Sequence, residues 1–454
     1  MNSIRFTPDH LAKLRNSLLS HAPAEAAGFL LAGWFETDSG VHFVVRELMI
    51  PESKDYDIQA ELRLQVSPVF FNRVISRAER EELAVVMCHT HPFSNGAWFS
   101  PADDYGEAIS AKTLHECLNG RPTASLVIDP ASIAARIWKT TGLTPEAVDE
   151  VSIVGRRLVR IPLSGHAAPQ ATIDLEMFSR QVMALGREGQ VVLSELKVGI
   201  VGTGGTGSSV AELLARLGVR HFVLVDPDNF EPSNITRVFG SHASDISSKR
   251  IPKVAIARRN ILSVAPKAEI QSLAKTVVDQ RVLQLLSGCD VIFSCVDRHA
   301  PRSVLNELAY QNFIPVIDLG VGLASTGNLV TGGTVRATLV SPGLPCLWDY
   351  GIVRADVMTA ELLPTKERTR RTLEGYVPAL DETAPSVVSF TATCAGLGVT
   401  LLLDLLFGIL GDGSPNLVLE LNPLRMGRLG VTAGEDCVCR VRMGRGATTP
   451  LSAP

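Results

Sequence analysis

Two rhythms alternate along the chain. Short continuous apolar runs, among them AGFLLAGWF at 27–35, VHFVVRELMI at 41–50, LAVVMC at 83–88, SLVID at 125–129 and KVGIVG at 197–202, read as strands buried in a sheet. Between them lie stretches with helical spacing, three of which open on Thr7-Pro8, Ser67-Pro68 and Ser100-Pro101. A hydroxyl residue followed by proline predicts a helix start, because the side-chain oxygen accepts an orphan amide and the proline ring already holds a helical φ. After 197–202 an alanine- and leucine-rich helical pattern leads to a further apolar run that ends in Asp226. Strands alternating with helices predict an α/β protein with a mostly parallel sheet in its second half. A last apolar helix is expected over 387–410; its longest apolar stretch contains Asp404 and falls short of the ~20 residues of a membrane span, so it reads as buried.

At 454 residues the chain exceeds the about 150 typical of one domain, and two or three are expected. Composition loosens after Thr140, and the small residues and proline of SGHAAPQAT read as a linker. The expected division is a first domain over 1–165, a linker over 166–173, a second domain over 174–440 and a disordered tail over 441–454. VSIVGRRLVRIPL reads as a strand of the first domain or a bridge, and NLVLELNPL and CVCRVRM as added strands. The 43 basic residues are scattered among 47 acidic ones, which excludes a massed surface for nucleic acid. Eight cysteines without a regular framework, and an opening MNSIRFTPDH unlike a signal peptide, point to a reducing cytoplasm and to no membrane partner.

The strand at 83–88 runs directly into HTHPFSNGAWFSPADD. His89 and His91, two apart at a strand end, share a face and can converge on one ion. Asp103, in the first turn of the helix opened by Ser100, can add a carboxylate. Three protein ligands leave a fourth position for water, the arrangement of a catalytic zinc site. Taken one at a time, these residues also suit a turn, a helix cap and a dipole partner. Together, HTHP, seven residues and SPAD resemble the JAMM (MPN-plus) metalloprotease signature H-x-H-P-x7-S-x-x-D, with EAAGFLLAG supplying Glu25, Gly28 and Gly33 upstream. The resemblance covers about the first 140 residues. It implies zinc on His89, His91 and Asp103, Glu25 as general base and then acid, and Ser100 at the oxyanion. It further implies hydrolysis at the C-terminus of ubiquitin or a ubiquitin-like protein.

The stretch VGIVGTGGTG places Gly202, Gly204 and Gly207 at G-x-G-x-x-G spacing between a strand and a helix, with Asp226 at the next strand's end. Alone, this suits any dinucleotide or nucleotide, and a nicotinamide oxidoreductase is one alternative. Three downstream stretches narrow the choice: DPDNFEPSNITR with Asp226, Asp228, Asn234 and Arg237, then IPKVAIARRN with Lys253, then DVIFSCVDRHAPRSVLN with Asp297. Preceded by a short helix at FSRQ with Arg180 and by a GREGQ loop, and with Gly205 beside Gly204, the series resembles the ThiF/MoeB and ubiquitin-activating adenylation family over roughly 175–425. The resemblance implies a Rossmann-like fold that binds ATP and magnesium as a homodimer and activates the C-terminal glycine of a ubiquitin-like or sulfur-carrier protein. Asp226 would hold the ribose, Asn234, Arg237 and Lys253 the phosphates, Asp297 magnesium, and Arg180 the phosphates of the partner subunit. Read singly, the arginines also suit surface ion pairs, Lys253 a solvated helix face and Asp297 a strand-end cap.

Relatives in this family carry two C-x-x-C pairs on a structural zinc. Here Cys346 is followed by Asp349, and Cys437 and Cys439 are one residue apart, so a four-thiolate site is not expected. The charged segment 347–393 contains no cysteine and reads as a mobile loop over the acyl-adenylate, leaving Cys346 as the candidate for a thioester and Cys394 as a packed thiol. The reading is thus a zinc peptidase followed by an adenylating domain, both addressing the C-terminus of one small partner, with a conjugating enzyme as a further partner. A hydrolase whose nucleotide domain only binds or regulates is the alternative.

Overall fold

A computed structural model describes residues 1–138, 144–163, 174–246, 250–327, 329–380, 385–434 and 436–447. The expected linker at 166–173 and the end of the expected tail, 448–454, lie outside the described residues. The chain divides into two compact units: Met1–Ala168 with Gln311–Phe313 and Arg442–Ala447, and the remainder.

In the first unit the strands are β1 (Ser3–Phe6), β2 (Ala27–Thr37), β3 (Gly40–Met49), the two-stranded ribbon β4 (Tyr56–Gln59) and β5 (Leu64–Val66), β6 (Ala84–Thr90), β7 (Thr123–Ile128), β8 (Ile133–Trp138), β9 (Glu146–Ala147), β10 (Glu150–Val154) and β11 (Leu158–Pro162). All but the ribbon form one sheet in the order β11-β10-β1-β3-β2-β6-β7-β8-β9. Its helices are α1 (Pro8–Leu19), α2 (Pro68–Arg80) and α3 (Pro101–Cys117). Each begins as the sequence predicts: Thr7, Ser67 and Ser100 accept an amide from the first turn, and proline follows.

The long apolar runs of β2 and β6 result from burial on both faces. Leu30, Ala32, Ala84 and Val86 join Leu11, Leu14 and Leu18 of α1 in one core, while Phe29, Leu31, Val85 and Met87 meet Phe70 and Val74 of α2 and Ala111 and Leu114 of α3 in another. The segment VSIVGRRLVRIPL forms the hairpin β10–β11, whose first strand runs parallel to β1.

The tail departs from expectation. Residues 442–447 belong to the first unit, where the Gly33 amide donates to Gly444 O at 3.1 Å and Arg445 pairs with Glu81 at 2.9 Å. Gly33 is needed for that approach: a Cβ there would lie 2.1 Å from the Arg445 carbonyl carbon. The β2–β6 pairing ends at Ala32, so the following amides of β2 are open to a partner, and the chain supplies one.

The second unit contains α4 (Ser179–Glu195), β12 (Lys197–Val201), α5 (Gly205–Leu217), β13 (His221–Val225), α6 (Lys253–Val264), β14 (Glu269–Leu273), α7 (Gln280–Ser287), β15 (Val291–Ser294), α8 (His299–Asn312), β16 (Val316–Thr326), β17 (Leu329–Val340), α9 (Ala355–Leu362), α10 (Thr365–Leu373), α11 (Val388–Phe407), β18 (Asn416–Leu421), β19 (Leu424–Arg428) and α12 (Val438–Val441). The sheet order is β14-β13-β12-β15-β16-β17-β18-β19, parallel from β14 to β16 and antiparallel beyond. The order reverses at β12, between β13 and β15, the kind of crevice in which open α/β sheets bind ligands. Helix α11 has the length and apolarity of a membrane span but packs on α5, β16 and β17, burying Leu401, Leu402 and Leu405.

Three expectations change here. The GREGQ stretch is no loop: α4 continues through it after a kink at Gly186, where φ is 74°. CVCRVRM is the short helix α12 and its exit, not a strand. The charged segment 347–393 carries α9 and α10, and Glu361 of α9 accepts the His299 and Ala300 amides at 2.9 and 2.8 Å, capping α8.

Candidate active sites

In the first unit, strand register assembles what the sequence separates. β2 and β6 are antiparallel with Ala27 opposite His89, so the residue two before Ala27 arrives beside the residue two after His89. Those residues are Glu25 and His91, and Glu25 Oε1 lies 3.9 Å from His91 Nε2. The junction is held by Ala26, whose amide donates to Thr90 Oγ1 and whose carbonyl accepts the Thr90 amide, both at 3.0 Å. Helix α3 brings Asp103 from the other side, its carboxylate accepting the Ser100 amide at 2.7 Å while Ser100 Oγ accepts the Asp103 amide at 3.2 Å. Ser100 therefore orients Asp103, and its own proton remains available to donate.

The three expected ligands come together. His89 Nε2 lies 3.3 Å from His91 Nε2 and 3.3 Å from Asp103 Oδ1, and His91 Nε2 lies 3.6 Å from Asp103 Oδ2. A tetrahedral zinc ion bound by nitrogen and oxygen at about 2.0–2.2 Å requires donor separations of about 3.3–3.6 Å. The donor set fits the ion, with each histidine nitrogen in that range of one Asp103 oxygen, Oδ1 for His89 and Oδ2 for His91. Burial opposes the ionisation of Asp103, but His89 and the Ser100 amide outweigh it and hold the carboxyl well below the usual carboxylate range. Burial pushes the Glu25 carboxyl upward, with His89 acting against it. The ring of His91 stacks on Phe93 at 5.6 Å and meets the edge of Trp98 at 5.6 Å.

One residue of this site was missed in the sequence. Glu107 places Oε1 3.5 Å from His89 Nδ1 and is held by Arg136 through Nε and Nη2 at 3.0 and 2.7 Å. Its signal was the i, i+4 spacing from Asp103 on the same helix face.

In the second unit the glycines divide by role. Gly202 has φ 86°, and a Cβ there would lie 2.5 Å from Cys295 O, while one on Gly207 would lie 1.8 Å from Gly202 O. Gly204, which caps α5, faces open space, with nothing within 4 Å of a Cβ. Bare amides at the start of α5 with room before them suit a phosphate. We expect Gly207→Ala to destabilise this unit by ~1–3 kcal/mol or more in chemical denaturation, and Gly204→Ala to fold normally while weakening ATP binding. Equal stability of the two variants would contradict this division.

Asp226 is 4% exposed, and its Oδ2 accepts the Thr203 amide and hydroxyl at 2.6 and 3.2 Å while Oδ1 accepts the Asp228 amide at 2.9 Å. It ties the glycine loop to the end of β13, leaving little carboxylate capacity for the ribose hydroxyls expected of it. Arg237 lays its stem beside Gly205, where an added Cβ would lie 3.3 Å from its Cγ and Cδ, and donates to Ser233 O at 2.9 Å. Lys253 Nζ rests on Asp228 at 2.8 Å, and buried Asn234 accepts the Glu231 amide at 3.1 Å. Asp297 is exposed just beyond β15, the neighbour of β12, and Arg180 is exposed in the first turn of α4.

Residues 178–439, more than half of the chain, match the ThiF family. The chain belongs to that family. Among ThiF relatives, the sulfur carrier protein ThiS adenylyltransferase of Bacillus subtilis (strain 168) is 29% identical over 172 residues, 37% of this chain and 48% of that protein. The tRNA threonylcarbamoyladenosine dehydratase of the same strain is 31% identical over 144 residues, 32% and 56%. The molybdopterin-synthase adenylyltransferase of Salmonella typhimurium is 30% identical over 160 residues, 34% and 63%. This ThiF chain spans about half the length of the curated relatives it matches. A crystal structure of E. coli MccB with AMPCPP and MccA is similar with a TM-score of 0.46 and 15% identity, covering 61% of this chain and 76% of that one. The family match begins at residue 178, beyond the histidine site.

Cys346 does not lie on an open surface. It is 1% exposed, with Sγ 3.3 Å from Cys437 Sγ, and the sulfurs of Cys346, Cys437 and Cys439 all lie within 4.8 Å of one another. Hydrogen bonding from Cys439 draws the Cys346 thiol down to about 7 against the cost of burial, and Asn306 Nδ2 donates to Cys439 Sγ at 2.9 Å. Asp349 stands beside them, accepting the Cys346 amide at 2.8 Å and the Gly434 amide at 3.0 Å. Three thiols and a carboxylate are a donor set that zinc takes readily. The expected thioester role finds neither candidate exposed, Cys346 being buried in this cluster and Cys394 against Gly320 and Arg336.

Proposed function

We propose that this protein works at the C-terminus of a ubiquitin-like or sulfur-carrier protein, hydrolysing a bond there with its first unit and adenylating the freed glycine carboxylate with its second. The hydrolytic reading is carried by the convergence of His89, His91 and Asp103, whose donor atoms lie within 4.8 Å of one another, with Glu25 alongside. Zinc held by these three would supply a water of lowered pKa and polarise the scissile carbonyl. Glu25 takes the proton of the attacking water and returns it to the departing amine nitrogen, while the Ser100 hydroxyl donates toward the oxyanion.

The adenylating reading is carried by Arg237 lying on the glycine loop, and the relatives from Bacillus ThiS activation and Salmonella molybdopterin synthesis are both named as adenylyltransferases. A carboxylate oxygen attacks the α-phosphorus of ATP and pyrophosphate departs, so charge must be neutralised on several oxygens at once. The amides of α5, Arg237 and Lys253 supply that neutralisation, with Asp297 as the magnesium residue. Arg180 on the exposed face of α4 serves a second copy in a homodimer. Family membership favours this chemistry over hydride transfer.

ATP–pyrophosphate exchange that depends on a partner ending in Gly-Gly tests the reading. Absence of exchange with every such partner, beside intact cleavage, would instead support a hydrolase with a regulatory nucleotide unit. Metal analysis is expected to show zinc at two places: His89→Ala removes one equivalent per chain, and Cys437→Ser removes the other. Retention of all zinc in either variant would remove that site.

A further inference from the structure

Glu107 is used neither by the hydrolytic step nor as a metal ligand, yet it is 9% exposed and its two oxygens have unequal surroundings. Oε2 accepts from Arg136 Nε and Nη2, whereas Oε1 is buried with no hydrogen-bond partner in the resting geometry and lies 3.5 Å from His89 Nδ1. Arg136 is itself fixed. Its guanidinium lies 3.9 Å from the centre of the Phe99 ring and 4.8 Å from that of Trp138, it pairs with Asp104, and Trp138 Nε1 donates to Ser125 Oγ at 2.8 Å. A rigid cation thus pins one oxygen of a buried carboxylate and leaves the other aimed at the far nitrogen of a histidine whose near nitrogen faces Asp103 and His91.

Resting on the zinc reading of the histidine site, we infer that Glu107 is a positioning residue for the metal: it takes a hydrogen bond from His89 Nδ1, which fixes the tautomer carrying its proton there and turns the Nε2 lone pair toward the ion. Arg136, bonded to the other oxygen, holds Glu107 in place. An imidazole that ligates through one nitrogen and donates through the other to a carboxylate is better oriented and more basic than one left free. His91 has no equivalent: its Nδ1 is buried without a hydrogen-bond partner among the described residues, and its ring is steered by stacking on Phe93. The two histidines are therefore positioned by different means, and only His89 depends on a charge.

The competing account is that Glu107 serves only to neutralise buried Arg136. Zinc affinity of the full chain in a Cys437→Ser background, which leaves only the histidine site to report, measured by competition with a chromophoric chelator, separates the two when read beside the melting temperature. Glu107→Ala leaves Arg136 buried and unpaired, which endangers folding, so the decisive variant is Glu107→Leu combined with Arg136→Met, which removes both charges and keeps apolar volume. Glu107→Gln, whose single carbonyl can serve Arg136 or His89 but not both, is the second. We expect the double variant to melt near the wild type while its zinc Kd rises roughly 10–100-fold, and Glu107→Gln to fall between. A double variant or a Glu107→Gln variant that binds zinc as tightly as the wild type overturns the inference and leaves the zinc site standing. A wild-type chain that binds no zinc at His89 and His91 overturns the zinc reading itself.

Discussion

Glu25→Gln is expected to abolish cleavage of a C-terminally extended ubiquitin-like partner while leaving bound zinc unchanged. The reason is position. Glu25 Oε1 stands 3.9 Å from His91 Nε2, beside the three donors and not among them, so removing its charge removes a proton carrier and no ligand. The residue is 8% exposed, and burial raises its affinity for the proton it must accept and release. An amide of the same shape can do neither. General acid–base groups contribute about 10²–10⁴-fold, and kcat/KM should fall by that much. His89→Ala is the control that loses both metal and activity. Cleavage by Glu25→Gln within tenfold of the wild type would mean that another group moves the proton.

Arg237→Ala is expected to reduce partner-dependent ATP–pyrophosphate exchange by about 10²-fold or more, the usual cost of deleting one preorganised charge at a reacting centre. The fold should survive. Arg237 is half-buried, its stem packs on Gly205 and its guanidinium holds one carbonyl, that of Ser233, so truncation breaks no buried ion pair. Turning toward the open space beside Gly204 costs it a single hydrogen bond. Unchanged melting with lost exchange is therefore the predicted pair of results, and exchange near the wild-type rate would dissociate Arg237 from the nucleotide. Lys253→Ala should behave similarly but less cleanly, because it also releases Asp228 from an ion pair at 2.8 Å.

Much of this architecture is local and therefore legible. Thr7, Ser67 and Ser100 cap the helices they were expected to cap, because an N-cap depends on three or four consecutive residues. The glycine loop was readable for the same reason. The misreadings fall where tertiary context overrides local pattern. CVCRVRM has the apolar alternation of a strand, yet its cysteines turn inward to meet Cys346, and a helical turn results. The glycine-, threonine- and proline-rich tail looks disordered, yet Gly444 within residues 442–447 accepts the Gly33 amide, just past the last β2–β6 pair at Ala32. Cys346 looked like a free nucleophile because its neighbours in space, Cys437 and Cys439, are distant in sequence.

By itself, the sequence determined the class of fold, the helix starts and the grouping of His89, His91 and Asp103 as candidate metal donors, since each rests on spacing within one element or on a series of short signatures. Only the tertiary structure decided which residues act together. The antiparallel register of β2 on β6 brings Glu25 to His91, the packing of α3 delivers Asp103 to both histidines and Glu107 behind one of them, and Asp226 turns inward to hold the glycine loop. Donor separations of 3.3 to 3.6 Å cannot be read from a string of residues. They are set by hydrogen-bonded register and by apolar cores on both faces of the sheet, which fix where a side chain ends as well as where it begins.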